Sequence, residues 1–163
     1  ARVVEGLRTH YETWWKSVQT RFDSYCPIGL GSDAENPAVL TGHDWHEGNP
    51  PWNHGHIRRA PNANGFWAVD VERAGKYRVS LRRWPVEAKL AIGAAPKNGK
   101  AVKPEKARLT IGKVDVTRAV DLAHESVDFE IELERGEAKL KTWFTGPDGE
   151  RGAYFVVVER LDG

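Results

Sequence analysis

Methionine is absent from the sequence, cysteine occurs once, and 163 residues carry almost no net charge. Each scarcity excludes something. The lone Cys26 rules out an intrachain disulfide framework, so the fold has to rest on its core. Lysine and arginine total 24 against 23 acidic residues, a formal net charge of +1. No chain-wide field therefore draws in nucleic acid or an anionic membrane, and any basic site is local. No apolar run approaches the roughly 20 residues needed to cross a bilayer, and no signal-peptide pattern is present. The missing initiator methionine predicts a processed chain or a piece of a longer one. There is no Gly-x-Ser-x-Gly elbow and no glycine-rich phosphate cradle. Acidic residues collect at alternating strand positions 128–134, which reads as a solvated face rather than a glycosidase carboxylate pair.

What is present is unevenly distributed. Residues 40–67 hold four of the six histidines (His43, His46, His54, His56) and three of the seven tryptophans (Trp45, Trp52, Trp67). Glycine and proline interrupt this stretch too often for a long strand or a helix. A connector of that length in a compact domain is functional or disordered, and its aromatic content argues against disorder. Trp67 and Trp84 flank strands and are expected inside. Trp45 and Trp52 are expected at a ligand or partner surface.

A chain of this length suits one domain and buries roughly 68–70% of its unfolded surface. Residues 1–21 read as a helix, with Val4, Leu7, Tyr11, Trp14, Trp15 and Val18 on one apolar stripe. Two partners suit that stripe: the sheet that follows, or a preceding domain. From residue 22 onward the period is two. Strands are expected near 25–31, 39–41, 66–72, 77–82, 89–94, 108–111, 114–116, 127–133, 139–144 and 154–158, with 95–106 a solvated loop. Segments 127–133 and 139–144 read as a hairpin with opposite charge on its outer faces, and 154–158, apolar on both faces, as a central strand. The whole predicts a mainly β fold: a two-sheet antiparallel β-sandwich of jelly-roll or galactose-binding type over 22–163, preceded by one N-terminal helix.

Two kinds of chemistry fit the connector. His43, His46, His54 and His56, with Asp44 nearby, have spacing that a folded loop could close around zinc or copper; alternatively they bond the loop or face a partner. Sugar recognition fits better. Aromatic faces cover the apolar face of a pyranose, and His, Asp, Asn and Arg bond its hydroxyls. Arg58–Arg59 and Arg82–Arg83 add charge suited to sulfate, carboxylate or phosphate. Cys26, before Pro27 in an apolar run, reads as inert packing.

Three stretches, in order and spacing, resemble the C-terminal region of bacterial arylsulfatase-type sulfatases. They are Tyr11-Glu12-Thr13-Trp14-Trp15; Thr41-Gly42-His43-Asp44-Trp45 with Pro51-Trp52-Asn53-His54-Gly55-His56-Ile57-Arg58; and Gly65-Phe66-Trp67 through Tyr77 to Arg83-Trp84-Pro85. The ending Gly152-Ala153-Tyr154-Phe155-Val156 is similar as well. The resemblance implies a non-catalytic accessory domain, with formylglycine and calcium confined to a catalytic domain elsewhere in the same protein. Cys26 does not fit the formylglycine motif, since Ile28 and Leu30 stand where Pro and Arg are required. The implied partners are that catalytic domain and a sulfated glycan, in the periplasm or outside the cell, with no nucleic acid and no membrane. The substrate-binding set is then Asp44, Trp45, Trp52, His54, His56 and Arg58, with no catalytic residue and no cofactor in this segment. A free-standing carbohydrate-binding module is the alternative.

Overall fold

The computed structural model describes residues 2–161. Ala1, where the helix was expected to start, and Asp162 and Gly163 at the end of the sandwich lie outside the described residues. The helix, α1, runs Arg2–Gln19, and the strands follow: β1 Ile28–Leu30, β2 Ala38–Thr41, β3 Phe66–Val71, β4 Gly75–Arg82, β5 Lys106–Ile111, β6 Val114–Ala119, β7 Ser126–Leu133, β8 Gly136–Gly146, β9 Gly149–Arg151 and β10 Phe155–Arg160. A short helix, α2, occupies His54–Arg59 inside the histidine-rich connector.

Two sheets face each other. One has the order β1-β3-β8-β5-β6, with β9 paired to β8; the other is β2-β10-β4-β7. All pairs are antiparallel except β1 with β3. The inner positions alternate as a half-buried strand requires. Trp67, Val69, Val71, Leu109 and Leu140 from the larger sheet meet Leu40, Tyr77, Val79, Phe129 and Val156 from the smaller one in a single core. The fold is thus mainly β, a two-sheet sandwich behind one N-terminal helix.

Three local expectations fail, the first through long-range pairing. First, β7 and β8 do not form a hairpin. β7 pairs with β4 in the smaller sheet, and β8 with β3 and β5 in the larger. The acidic face of β7 therefore meets β4: Glu130 bonds Lys76 at 3.1 Å and Arg78 at 3.2 Å. Second, no strand forms at 89–94. A 3-10 turn at Val86–Ala88 ends on Lys89 with φ 49°, and Ile92 is buried through bonds to the 122–124 loop. Third, Cys26 is exposed rather than packed inside. Other local signals hold. Gly112, with φ +54°, makes the tight β5–β6 turn, and β8–β9 turn at Pro147-Asp148.

The helix α1 is not docked on the sandwich, since none of its residues is buried. Its stripe stands open, with Leu7 66%, Tyr11 55% and Trp14 50% exposed. Tyr11, Trp14 and Trp15 pack on one another, and Trp15 meets Phe22 edge-on at 5.3 Å. Replacing Trp14 and Trp15 together by Ser should accordingly leave the thermal midpoint of the sandwich unchanged, within about 0.5 kcal/mol for an uncovered surface. Scanning calorimetry checks this; a large downward shift would show that the rings pack on the sandwich in solution.

Candidate functional site

The connector after β2 is irregular but bonded along its length. It opens with a 3-10 turn at Gly42–Asp44, where the Thr41 hydroxyl donates to Asp44 Oδ2 at 2.8 Å. Gly42 N–H donates to the Tyr154 carbonyl at 2.6 Å. His46 and Phe66 exchange backbone bonds of 2.8 and 3.1 Å, which closes the base of the connector. Asn53 then caps α2, its side chain accepting from His56 N–H at 3.1 Å, because an Asn oxygen satisfies an otherwise orphaned first-turn donor. Beyond α2, Pro61 accepts the Tyr154 hydroxyl at 2.8 Å, Asn62 accepts Arg151 Nη2 at 2.7 Å and Asn64 donates to the Thr142 carbonyl at 3.0 Å. Burial pushes the Tyr154 phenol up to about 12 against the pull of Arg151 and Arg83. The phenol therefore stays neutral, and its O–H donates to the Pro61 carbonyl.

The anchor of this arrangement is Trp45. It was expected at a ligand surface, but it is only 5% exposed. Its ring meets Trp67 edge-on at 5.6 Å and Tyr154 at 5.9 Å. Gly65 and Gly152 press against it so closely that a Cβ on either would fall 2.6 Å from the indole side chain. Trp67 and Trp84 are buried as expected, at 0% and 4%.

Trp52 is the opposite case. It is 71% exposed and stands between two clefts. One, of about 360 Å³, is formed by Thr41, His43, Pro51, Asn53, His54 and Phe155 with the indole. The other, of about 430 Å³, lies against Asn49, His56, Arg59 and Asn62. His43 meets the Trp52 ring edge-on at 5.5 Å. His56 Nδ1 accepts the Trp52 backbone N–H at 3.2 Å, which leaves the neutral ring's proton on Nε2. A further groove of about 420 Å³, sharing Thr41, His54 and Phe155, continues over Val39, Val86 and Val157.

Of the expected set, Trp52, His54 and His56 come together, and His43 joins them. Asp44 is exposed and occupied with Thr41. Arg58 lines neither cleft; Arg59, three residues beyond His56 and so on the same helical face, takes that place. The four imidazoles do not converge. His46 packs on Tyr25 and Phe66 at 4.4 and 5.4 Å, and no group of three or more metal-ligating side chains occurs among the described residues. Phe155, Asn62 and Thr41 were not among the site residues expected from the sequence. Nothing local marks them, because strand pairing and the return of the chain bring them to the cleft. The hairpin end of the sandwich has a larger cleft, of about 570 Å³, but no ring or imidazole lines it.

No family model matches the chain, and no curated protein matches it. Solved structures do. A ruminal GH26 endo-beta-1,4-mannanase is similar over 79% of this chain at 16% identity, with a TM-score of 0.49. An exo-beta-1,3-galactanase from Phanerochaete chrysosporium is similar over 76% at 12% identity, with a TM-score of 0.41. The chain spans 27% and 29% of those two chains.

Proposed function

We propose that this chain is the non-catalytic β-sandwich of a larger sulfatase, packed on the catalytic unit through α1 and contributing sulfated-carbohydrate recognition through Trp52. The observation that carries the recognition role is the exposed indole between two largely apolar clefts that imidazoles, amides and a guanidinium edge. An indole on a hydrogen-bonded loop, its backbone N–H fixed on His56 Nδ1, offers a preformed face for a sugar ring. Imidazoles at His43, His54 and His56, the amides of Asn53 and Asn62 and the Arg59 guanidinium supply donors for hydroxyl and sulfate oxygens. The open aromatic stripe of α1 supports the packing role, because a contiguous apolar patch marks a surface that a partner covers. The order of the sequence stretches quoted above supports a sulfatase as the parent protein.

A free-standing carbohydrate-binding module is the second reading, favoured by the 71% exposure of Trp52 between its two clefts. Calorimetry on the isolated chain with a panel of sulfated and unsulfated oligosaccharides tests the recognition they share. Trp52→Ala should weaken binding by about 30-fold, the loss of roughly 2 kcal/mol typical of a central aromatic contact, and leave the thermal midpoint in place. Absence of any binding across the panel would remove the recognition role. The isolated chain should not hydrolyse an aryl sulfate, and turnover by it would refute the non-catalytic assignment.

A further inference from the structure

The outer face of the larger sheet carries a second set of rings and cations, apart from the Trp52 clefts. On β8 the inward positions Leu140, Thr142 and Phe144 are buried, so Lys139, Lys141 and Trp143 point outward. Across the ladder, Phe66 stands opposite Lys141, and Arg108 opposite Trp143. Lys139 Nζ lies 4.3 Å from the Phe66 ring centroid and 5.7 Å from that of Tyr25. Lys141 Nζ is 5.7 Å and the Arg108 guanidinium 4.9 Å from the Trp143 ring. Tyr25 is 49% exposed and edges a cleft of about 580 Å³ shared with Asp23, Ser24, Ala68 and Lys139.

The charges on this face are not equivalent. Arg108 is held by both oxygens of Asp115, at 2.8 and 2.6 Å. Lys139 and Lys141 have no ion-pair partner among the described residues. The two lysines lie two residues apart on one strand, so their Cα atoms are about 7 Å apart at the strand rise, and each carries an ammonium group without an ion-pair partner. A ring lies beyond each: Tyr25 on the Lys139 side, Trp143 on the Lys141 side.

We infer that this strip is a second binding site, for a linear anionic oligosaccharide whose sulfate or carboxylate groups meet Lys139 and Lys141 and whose sugar faces lie on Tyr25 and Trp143. Rings beside unpaired cations suit a ligand that alternates apolar ring faces with anionic substituents. Nucleic acid fits less well. Its binding requires neutralising many phosphates, and Asp70, Asp115 and Glu137 sit on the same face. The site shares no residue with the clefts around Trp52, so it stands or falls without them.

The test is calorimetry on the full chain with four probes: a heparin-derived hexasaccharide, a hexagalacturonate, neutral cellohexaose and a short single-stranded DNA. At least one of the two anionic sugars should bind, more weakly as salt rises; whichever binds tighter tells whether sulfate or carboxylate is read. Replacing Lys139→Ala and Lys141→Ala together should cut that affinity by about tenfold or more, the effect of losing two charge-assisted contacts, with the thermal midpoint unchanged. The double replacement by Gln, which keeps the aliphatic stems over Phe66 and Trp143, should do the same. Trp52→Ala should leave residual binding that the lysine replacements abolish, which separates this site from the Trp52 clefts. The inference is overturned if neither anionic sugar binds, if both lysine variants bind like the parent chain, or if cellohexaose or the DNA binds as tightly as the better anionic sugar.

Discussion

Trp67→Ala should destabilise the chain by about 3–5 kcal/mol, the usual range for truncating a fully buried large aromatic. Trp67 is the largest side chain with no exposure at all. It sits on β3 with Leu140 of β8 as its cross-strand neighbour, and its Nε1–H donates to the Thr41 carbonyl of β2 at 2.7 Å. That bond links the two sheets, since β2 belongs to the smaller one. The substitution removes three things together: core contact, an inter-sheet bond and the edge-on partner of Trp45. A domain of this size is stable by only about 5–15 kcal/mol, so the chain should unfold at much lower denaturant. Urea titration followed by tryptophan fluorescence and circular dichroism measures this. A loss under about 1 kcal/mol would show that Trp67 is not the pillar between the sheets.

Trp45→Ala should cost almost as much, about 3 kcal/mol or more, and should also loosen the connector. Trp45 is where the histidine-rich segment plugs into the sandwich, against Trp67 and Tyr154 and between Gly65 and Gly152. Its Nε1 is buried without a hydrogen-bond partner among the described residues. Trp45→Phe therefore removes an unsatisfied donor along with some volume and should cost far less than Trp45→Ala, because an unpaired buried N–H carries its own penalty. Combining Trp45→Ala with Trp67→Ala should give less than the sum of the separate losses, since the rings share one contact. Amide exchange adds a structural readout: residues 42–65 should exchange faster in Trp45→Ala, while β5 and β8 keep their protection. Uniformly faster exchange across both sheets would mean that the loop and the core unfold as one unit.

The same two rings show how far local reading reaches. Trp67 and Trp84 could be placed inside from the sequence, because each flanks a strand; for Trp67 the alternation with Val69 and Val71 also names the inward face. Trp45 could not. It lies in a segment without period, and burial there depends on a backbone path set by bonds to residues about a hundred positions away, at Gly152 and Tyr154. α2 was hidden for a similar reason: one and a half turns starting at an Asn cap and ending on Ala60 with φ 50° leave too short a pattern beside so many glycines and prolines. The supposed β7–β8 hairpin failed on partner choice. Opposite charges on adjacent segments suggest pairing, but the lysine and arginine of β4 meet the glutamate of β7 instead.

The chain by itself determines its alternating strands, its turns at Gly112 and at Pro147-Asp148, the aromatic stripe of α1 and the class of fold. These depend on side-chain period and on backbone preferences that act over a few residues. Tertiary structure alone decides which strands share a sheet, that Trp45 anchors while Trp52 is presented, and that Lys139 and Lys141 stand unpaired beside Phe66 and Trp143. Each of those outcomes depends on which distant segment arrives alongside. Contacts of that kind are won in competition among all segments at once, so no window of sequence contains the answer.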